Sequence, residues 1–309
     1  MKFIINSIKL IRPLNAIIVF ATLMVVRYIL TASFDMFGLE PTIFIWDYLL
    51  MIIIGMWILG SGNVINDIID QEIDLINKPK KVIIPHKISN NQALFIYWSM
   101  NASAIICSAY LAYKYQVNNY LLVPFLSIAL LYVYSKWLKK SLFFGNYVIA
   151  FLCAALPVVG FMVEQYNLDI IRLKSYDTYI LIIYQIICMV TFSFLLVLCR
   201  ELVKDCEDVE GDASAGARTI PIKYGIPFSR KLMLFYILTY LIVFAVTNYL
   251  RYGLTHSFNL FLWSVVYIVL VVASFLFLLN KYKDIIFFKK MSSMIKIYLI
   301  MGLLFMLIN

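Results

Sequence analysis

The chain has 309 residues, of which 63% are hydrophobic and only 14% charged, a balance that excludes an ordinary soluble domain. Its five cysteines are scattered without a C-x-x-C pair, which excludes a disulfide framework or a metal knuckle. The net charge of +9 is no footprint of nucleic acid, because the basic residues are distributed by membrane side.

A helix crosses the bilayer core with about 20 apolar residues, and a barrel would need alternating strands. The runs here are continuous and predict spans at 13–33, 47–66, 93–113, 118–138, 143–163, 177–199, 232–250, 258–280 and 290–308. The expected fold is an all-α polytopic membrane protein: nine transmembrane helices around a central cavity, with a cytoplasmic cap of loops. No linker or low-complexity tract divides it, so residues 1–309 read as a single membrane domain. The opening MKFIINSIKLIRP places basic residues before an apolar run, as signal peptides do. That run is too long for a signal sequence and no small-residue cleavage site follows, so it reads as the first span. With the N-terminus inside, the inner segments hold 20 Lys and Arg and the outer ones 5. This bias predicts an integral protein of the cell membrane, with its acidic stretches facing the cytoplasm.

The second span ends in NDIIDQEID, residues 66–74, and the sixth in DCEDVEGD, residues 205–212. Both read D-x-x-D-x-x-x-D: Asp67, Asp70 and Asp74, then Asp205, Asp208 and Asp212. These are six of the eleven aspartates in the chain. At about 100° per helical residue each set points one way, with Asn66 beside the first and Glu201 beside the second. Carboxylates crowded on one face repel and need a cation. Oxygen-only ligands favour Mg²⁺, which retains waters and binds substrate phosphates. Two such sites facing each other would hold a diphosphate. Arg200 and Lys204 flank the second cluster, Lys78, Lys80 and Lys81 follow the first, and Lys139 and Lys140 end span four. An apolar cavity below would suit an isoprenoid tail. Together the parts describe ionisation of an allylic diphosphate with metals stabilising the departing pyrophosphate. The inner loops 67–92 and 200–231 are longer than connectivity needs, and their apolar content predicts order.

In these residues the chain resembles the UbiA superfamily of intramembrane prenyltransferases. Asn66, Asp67, Asp70 and Asp74 match that family's N-D-x-x-D-x-x-x-D, and Asp205, Asp208 and Asp212 match its second aspartate motif. IRPLN, LINKP, YSKWLKK followed by GN, and GARTIPIKYG stand in the family order. The resemblance implies Mg²⁺-dependent transfer of an isoprenoid chain from a polyprenyl diphosphate to a small lipid-soluble or amphipathic acceptor within the lipid bilayer. It assigns Asn66, Asp70, Asp74, Asp205, Asp208 and Asp212 to metal, and Asp67, Asp70, Asp208, Lys139 and Tyr134 to catalysis. Tyr132 and Lys136 are the alternatives at the end of the fourth helix. Asn66, Lys81, Arg200 and Lys204 are assigned to the diphosphate. The chain reads KVIIPHKIS where many relatives read R-P-I-P-S-G-x-I-S, so Lys81 replaces an Arg and His86 stands at the usual Gly. KDCEDVEGD and GARTIPIKYG look most like the branch of geranylgeranylglycerol-phosphate geranylgeranyltransferase and chlorophyll synthase. A quinone-precursor acceptor is the second reading. A cation-coupled transporter is the reading from a different class, although transporters place their acids near the midplane.

Overall fold

The computed structural model describes residues 2–307, apart from the side chains of residues 254, 255 and 284, and every regular element among them is helical. Thirteen α-helices follow in order. They are α1 (Lys2–Ile11), α2 (Pro13–Asp35), α3 (Ile45–Ile69), α4 (Gln71–Asn77), α5 (Asn90–Tyr115), α6 (Asn119–Lys136) and α7 (Phe144–Met162), then α8 (Gln165–Lys174), α9 (Tyr176–Glu207), α10 (Val209–Ser214), α11 (Ile220–Thr255), α12 (Phe258–Lys281) and α13 (Asp284–Phe305).

Eight of these, α2, α3, α5, α6, α7, α9, α11 and α12, are long and apolar enough to cross a membrane. They correspond to eight of the nine expected spans. The ninth, 290–308, falls on α13, whose apolar run is interrupted by Lys289, Lys290 and Lys296, and residue 308 lies outside the described residues. Among the described residues the count of candidate spans is therefore eight rather than nine. The segment before the first span is itself a helix: α1 ends at Ile11, Arg12 takes a left-handed φ of 60°, and Pro13 then opens α2. Proline tolerates that first helical position because its missing N–H has no intrahelical partner there. α8 is a further helix the hydrophobic pattern did not mark.

The chain packs as two compact units. The first comprises Met1–Phe20, Ile43–Val148 and Asp208–Thr219. Here α3 packs on α1, α5 and α6, and α4 packs on α10. Close approach on α3 depends on Gly60, where an added Cβ would stand 2.5 Å from Met100 and 2.8 Å from Ile11. The loop after α4 is anchored by its own apolar residues. Ile84 and Ile88 bury beside Leu10, Val64, Ile65 and Tyr97, each contributing about 1.5–3 kcal/mol. Ser89 then starts α5 with a reciprocal cap, its hydroxyl accepting the Gln92 N–H while its own N–H donates to the Gln92 side chain.

The second unit comprises Ala21–Thr42, Ile149–Glu207 and Ile220–Asn309. α9 packs against α8, α11 and α13, and α12 against α11 and α13. Tyr240 and Phe244 are fully buried, and the Tyr240 and Tyr267 hydroxyls bond at 2.5 Å. α11 bends at Gly225 (φ 81°, ψ 164°), a conformation open mainly to glycine, and the expected span 232–250 lies beyond the bend. The unit also holds an ion pair inside its apolar interior. Arg27 donates to Glu164 at 2.5 Å, with side-chain exposures of 8% and 0%. The second Glu164 oxygen accepts the Thr42 N–H at 2.7 Å and Asn167 Nδ2 at 3.3 Å. Every oxygen of that carboxylate is thus partnered, as burial demands.

Candidate active site

Each aspartate motif straddles a helix break. α3 ends at Ile69, and Asp70 takes φ −90° and ψ 11° before α4 begins. Asp208 takes φ −107° and ψ 12° between α9 and α10. The i to i−4 bonds continue through the first break: Asp70 N–H donates to the Asn66 carbonyl at 2.9 Å and Asp74 N–H to that of Asp70 at 2.8 Å. Asn66, Asp70 and Asp74 therefore keep the shared face expected of them. In the second motif Asp212 N–H donates to the Asp208 carbonyl at 3.0 Å, but Asp205 remains on the last turn of α9 in the second unit. Both motifs thus contain a helix end, that of α3 after Ile69 and that of α9 after Glu207.

Within the first unit the carboxylates are interleaved with cations. Asp67 pairs with Arg12 at 2.6 Å. Asp70, 2% exposed, accepts Asn66 Nδ2 at 2.7 Å and the Lys139 ammonium. Asp208 lies 2.6 Å from Lys78 Nζ, which donates to its other oxygen at 2.8 Å. Lys139 sits on a short 3-10 turn, Leu138–Lys140, and the Lys140 carbonyl accepts the Arg218 N–H at 2.9 Å.

These contacts set the electrostatics. Burial, reinforced by the charges of Asp67 and Asp70, raises the Asp74 carboxyl from 3.8 to about 6. Burial likewise raises Asp212 to about 6; Asp208 and Asp70 add to this and Lys139 opposes it. Burial works against the charged form of Lys139, but Asp70 outweighs it, helped by Asp212 and Asp74, so its ammonium is held above the usual lysine range. One lysine therefore lies in the field of both motifs.

Among the described residues no three His, Cys, Asp or Glu side chains converge into a ready-made cage for an ion. That suits Mg²⁺, which takes one or two carboxylates and completes its shell with water and substrate phosphate. The donors present are oxygens, and the buried Asp208 Oδ1 is paired with the Lys78 ammonium at 2.6 Å. The residues fit a hard divalent ion.

The other expected site residues are spread unevenly. Lys81 is exposed on the 3-10 turn Pro79–Lys81, and it is Lys78 that reaches an aspartate. His86 is exposed. Tyr134 is buried at the end of α6 whereas Tyr132 is exposed, and Lys136 lies over the Trp137 ring at 4.6 Å. Arg200 and Lys204, in the second unit, both bond to Glu201, at 2.9 and 2.8 Å. Glu201 is 3% exposed. Sequence reasoning passed over Arg12 and Asn77 as site residues, although both lie in the segments IRPLN and LINKP that it quoted. The Asn77 amide donates to the Asp208 carbonyl at 3.0 Å and accepts the Gly211 N–H at 2.8 Å.

The chain is similar to several known proteins. A digeranylgeranylglyceryl phosphate synthase from Methanothermobacter thermautotrophicus is 34% identical over 226 residues, covering 72% of this chain and 68% of its own. One from Methanosphaera stadtmanae is 30% identical over 278 residues, covering 89% and 86%. Among solved structures, one of digeranylgeranylglyceryl phosphate synthase in membranes superposes with a TM-score of 0.64 and 26% identity over 99% of this chain and 98% of that one. A UbiA homologue from Archaeoglobus fulgidus, bound to GPP and Mg²⁺, superposes at 0.60 with 14% identity over 98% and 100%, a likeness of fold. The UbiA prenyltransferase family profile matches residues 15–294. With both motifs, the helical membrane fold and nearly the whole length accounted for, this chain belongs to the UbiA prenyltransferase family.

Proposed function

We propose that this prenyltransferase uses Mg²⁺ to transfer a geranylgeranyl chain from its diphosphate to geranylgeranylglycerol phosphate, at the cytoplasmic face of the cell membrane. The observation that carries the reading is the packing of α4 on α10, which gathers Asp70, Asp74, Asp208 and Asp212 with Lys78 and Lys139 in one unit. The relatives named for digeranylgeranylglyceryl phosphate synthesis support the acceptor, and the bias of Lys and Arg toward the inner loops supports the orientation.

Asp70 and Asp74 with Asn66, and Asp208 with Asp212, are the residues of the first unit that would hold Mg²⁺. When bound, the ion supplies Lewis-acid stabilisation of the departing pyrophosphate. Lys78 and Lys139 add positive charge where the leaving group accumulates negative charge, in a half-buried site that water screens only in part. Glu201 fixes Arg200 and Lys204 in one geometry, as cations intended for an anionic group must be. The allylic carbon–oxygen bond breaks, pyrophosphate leaves, and the acceptor hydroxyl oxygen takes its place on carbon while its proton passes to pyrophosphate or water. Purified protein should convert geranylgeranyl diphosphate and geranylgeranylglycerol phosphate into the diether phosphate, detected by mass spectrometry. Pyrophosphate release only with an aromatic quinone precursor would move the acceptor to the second class. No release with any acceptor would refute the catalytic reading.

A further inference from the structure

Asn77 closes α4, three residues after Asp74, and its amide engages the first turn of α10. The Gly211 N–H that it satisfies is one of the first-turn donors a helix leaves without an internal partner. An aspartate at an N-cap ordinarily folds its own carboxylate back onto such a donor. Asp208 is the N-cap of α10, yet its side chain makes no cap bond. The cap comes from Asn77 on another segment, and the Asp208 carboxylate faces Lys78 instead. A Cβ at Gly211 would stand 2.5 Å from Asn77 Nδ2, so any larger residue there must displace the Asn77 amide. The same amide is also tied to the backbone at Asp212. Gly211 adjoins Asp212, and the Asp208 carbonyl that accepts from Asn77 also accepts the Asp212 N–H at 3.0 Å.

We infer that Asn77 is a positioning residue for prenyl transfer: by capping α10 from α4 it fixes Asp208 and Asp212 against the first motif and leaves the Asp208 carboxylate turned to Lys78 rather than folded onto its own helix. The inference rests on the prenyltransferase reading of the site. A group of this kind acts on metal ligands without touching the ion, and loss of such support weakens metal affinity by about 10- to 100-fold.

The test uses the full chain in detergent, with Asn77→Ala, Gly211→Ala and the double variant. Mn²⁺ binding in the presence of inorganic pyrophosphate is followed by electron paramagnetic resonance, and kcat and KM are measured in parallel. Each single variant should weaken Mn²⁺ binding by at least about tenfold and lower kcat, while KM for the acceptor moves by less than about twofold. The double variant should be no worse than Asn77→Ala, because the partner of the clash is gone. Gly211→Ala keeps a helical backbone and every aspartate, so it decides the matter should Asn77→Ala not fold. If wild-type protein binds no Mn²⁺ with pyrophosphate, the catalytic reading falls and this inference falls with it. If the wild type binds and folded single variants bind equally well, or if the two losses add independently, this inference alone is overturned.

Discussion

Replacing Lys139 by Met removes the cation that both aspartate motifs share. Asp70 is 2% exposed, and its remaining partner is the Asn66 amide at 2.7 Å. Two unit charges about 4 Å apart interact by about 4 kcal/mol at an effective dielectric near 20. Breaking a fully buried pair from one side costs about 3–5 kcal/mol. The Lys139 side chain is 26% exposed, which screens part of the interaction, so a loss of about 3 kcal/mol is expected in EDTA at pH 8. At about 2–4 °C per kcal/mol, the melting temperature in detergent should fall by at least about 5 °C. The deficit should also depend on pH. Asp74 and Asp212 have folded pKa values of about 6 against an unfolded 3.8. Protonation therefore favours the folded state; this contribution is complete below the unfolded pKa and lost as pH rises through the folded one. Without Lys139 those carboxyls titrate higher still, so the gap between variant and wild type should narrow as pH falls from 8 to 5. Melting curves at half-unit pH steps measure it. A variant that melts with the wild type at pH 8, or a deficit that stays constant down to pH 5, would refute the electrostatic account.

Chelation by EDTA should abolish turnover and added Mg²⁺ restore it, and full activity in excess chelator would remove the metal from the site. Asp208→Asn should cut turnover by at least about tenfold, or 1.4 kcal/mol in the barrier; wild-type rates in folded protein would reassign that motif. Glu201→Gln removes the buried charge that Arg200 and Lys204 share and should raise KM for the prenyl diphosphate and lower the melting temperature. An unchanged KM would mean those cations do not meet the donor. Cysteines introduced singly at residues 80 and 216 should react with an impermeant maleimide only after the cytoplasmic face is opened, and labelling from outside would invert the orientation.

Much of the fold was legible because apolar runs of bilayer length admit few alternatives, and eight of the nine expected spans recur as long apolar helices. What the runs concealed lies where apolar character is not the cause. α1 and α8 are short and flank the spans, so a window tuned to about 20 apolar residues passes over them. α13 carries Lys289, Lys290 and Lys296, and counting its apolar residues overstates its fitness to cross. The aspartate spacing pointed to two facing sites, yet spacing assumes an unbroken helix and could not show α9 ending between Asp205 and Asp208. Nor could it show partners. Arg12 lies 55 residues from Asp67, and Asn77 lies 131 from Asp208. Both contacts depend on tertiary packing, and neither residue type stands out in sequence. The loop at 82–88 illustrates the opposite case: its Ile84 and Ile88 signalled order, and they are the residues that anchor it.

The buried pair of Arg27 and Glu164 has a consequence for how the chain is made. The two residues are 137 apart in sequence, so at about 5–20 residues per second α2 exists for on the order of 10 s before its counter-ion is synthesised. During that interval Arg27 opposes insertion by up to about 2.5–3.5 kcal/mol, the penalty for a cation at mid-helix. The apolar remainder of α2 must carry it into the bilayer alone, or the helix must wait at the translocon. Glu164 follows α7 as the residue that opens α8, and only then does the early span gain its partner. Biogenesis of this protein therefore includes a late neutralisation step, and the order of synthesis determines when the charge of Arg27 is relieved.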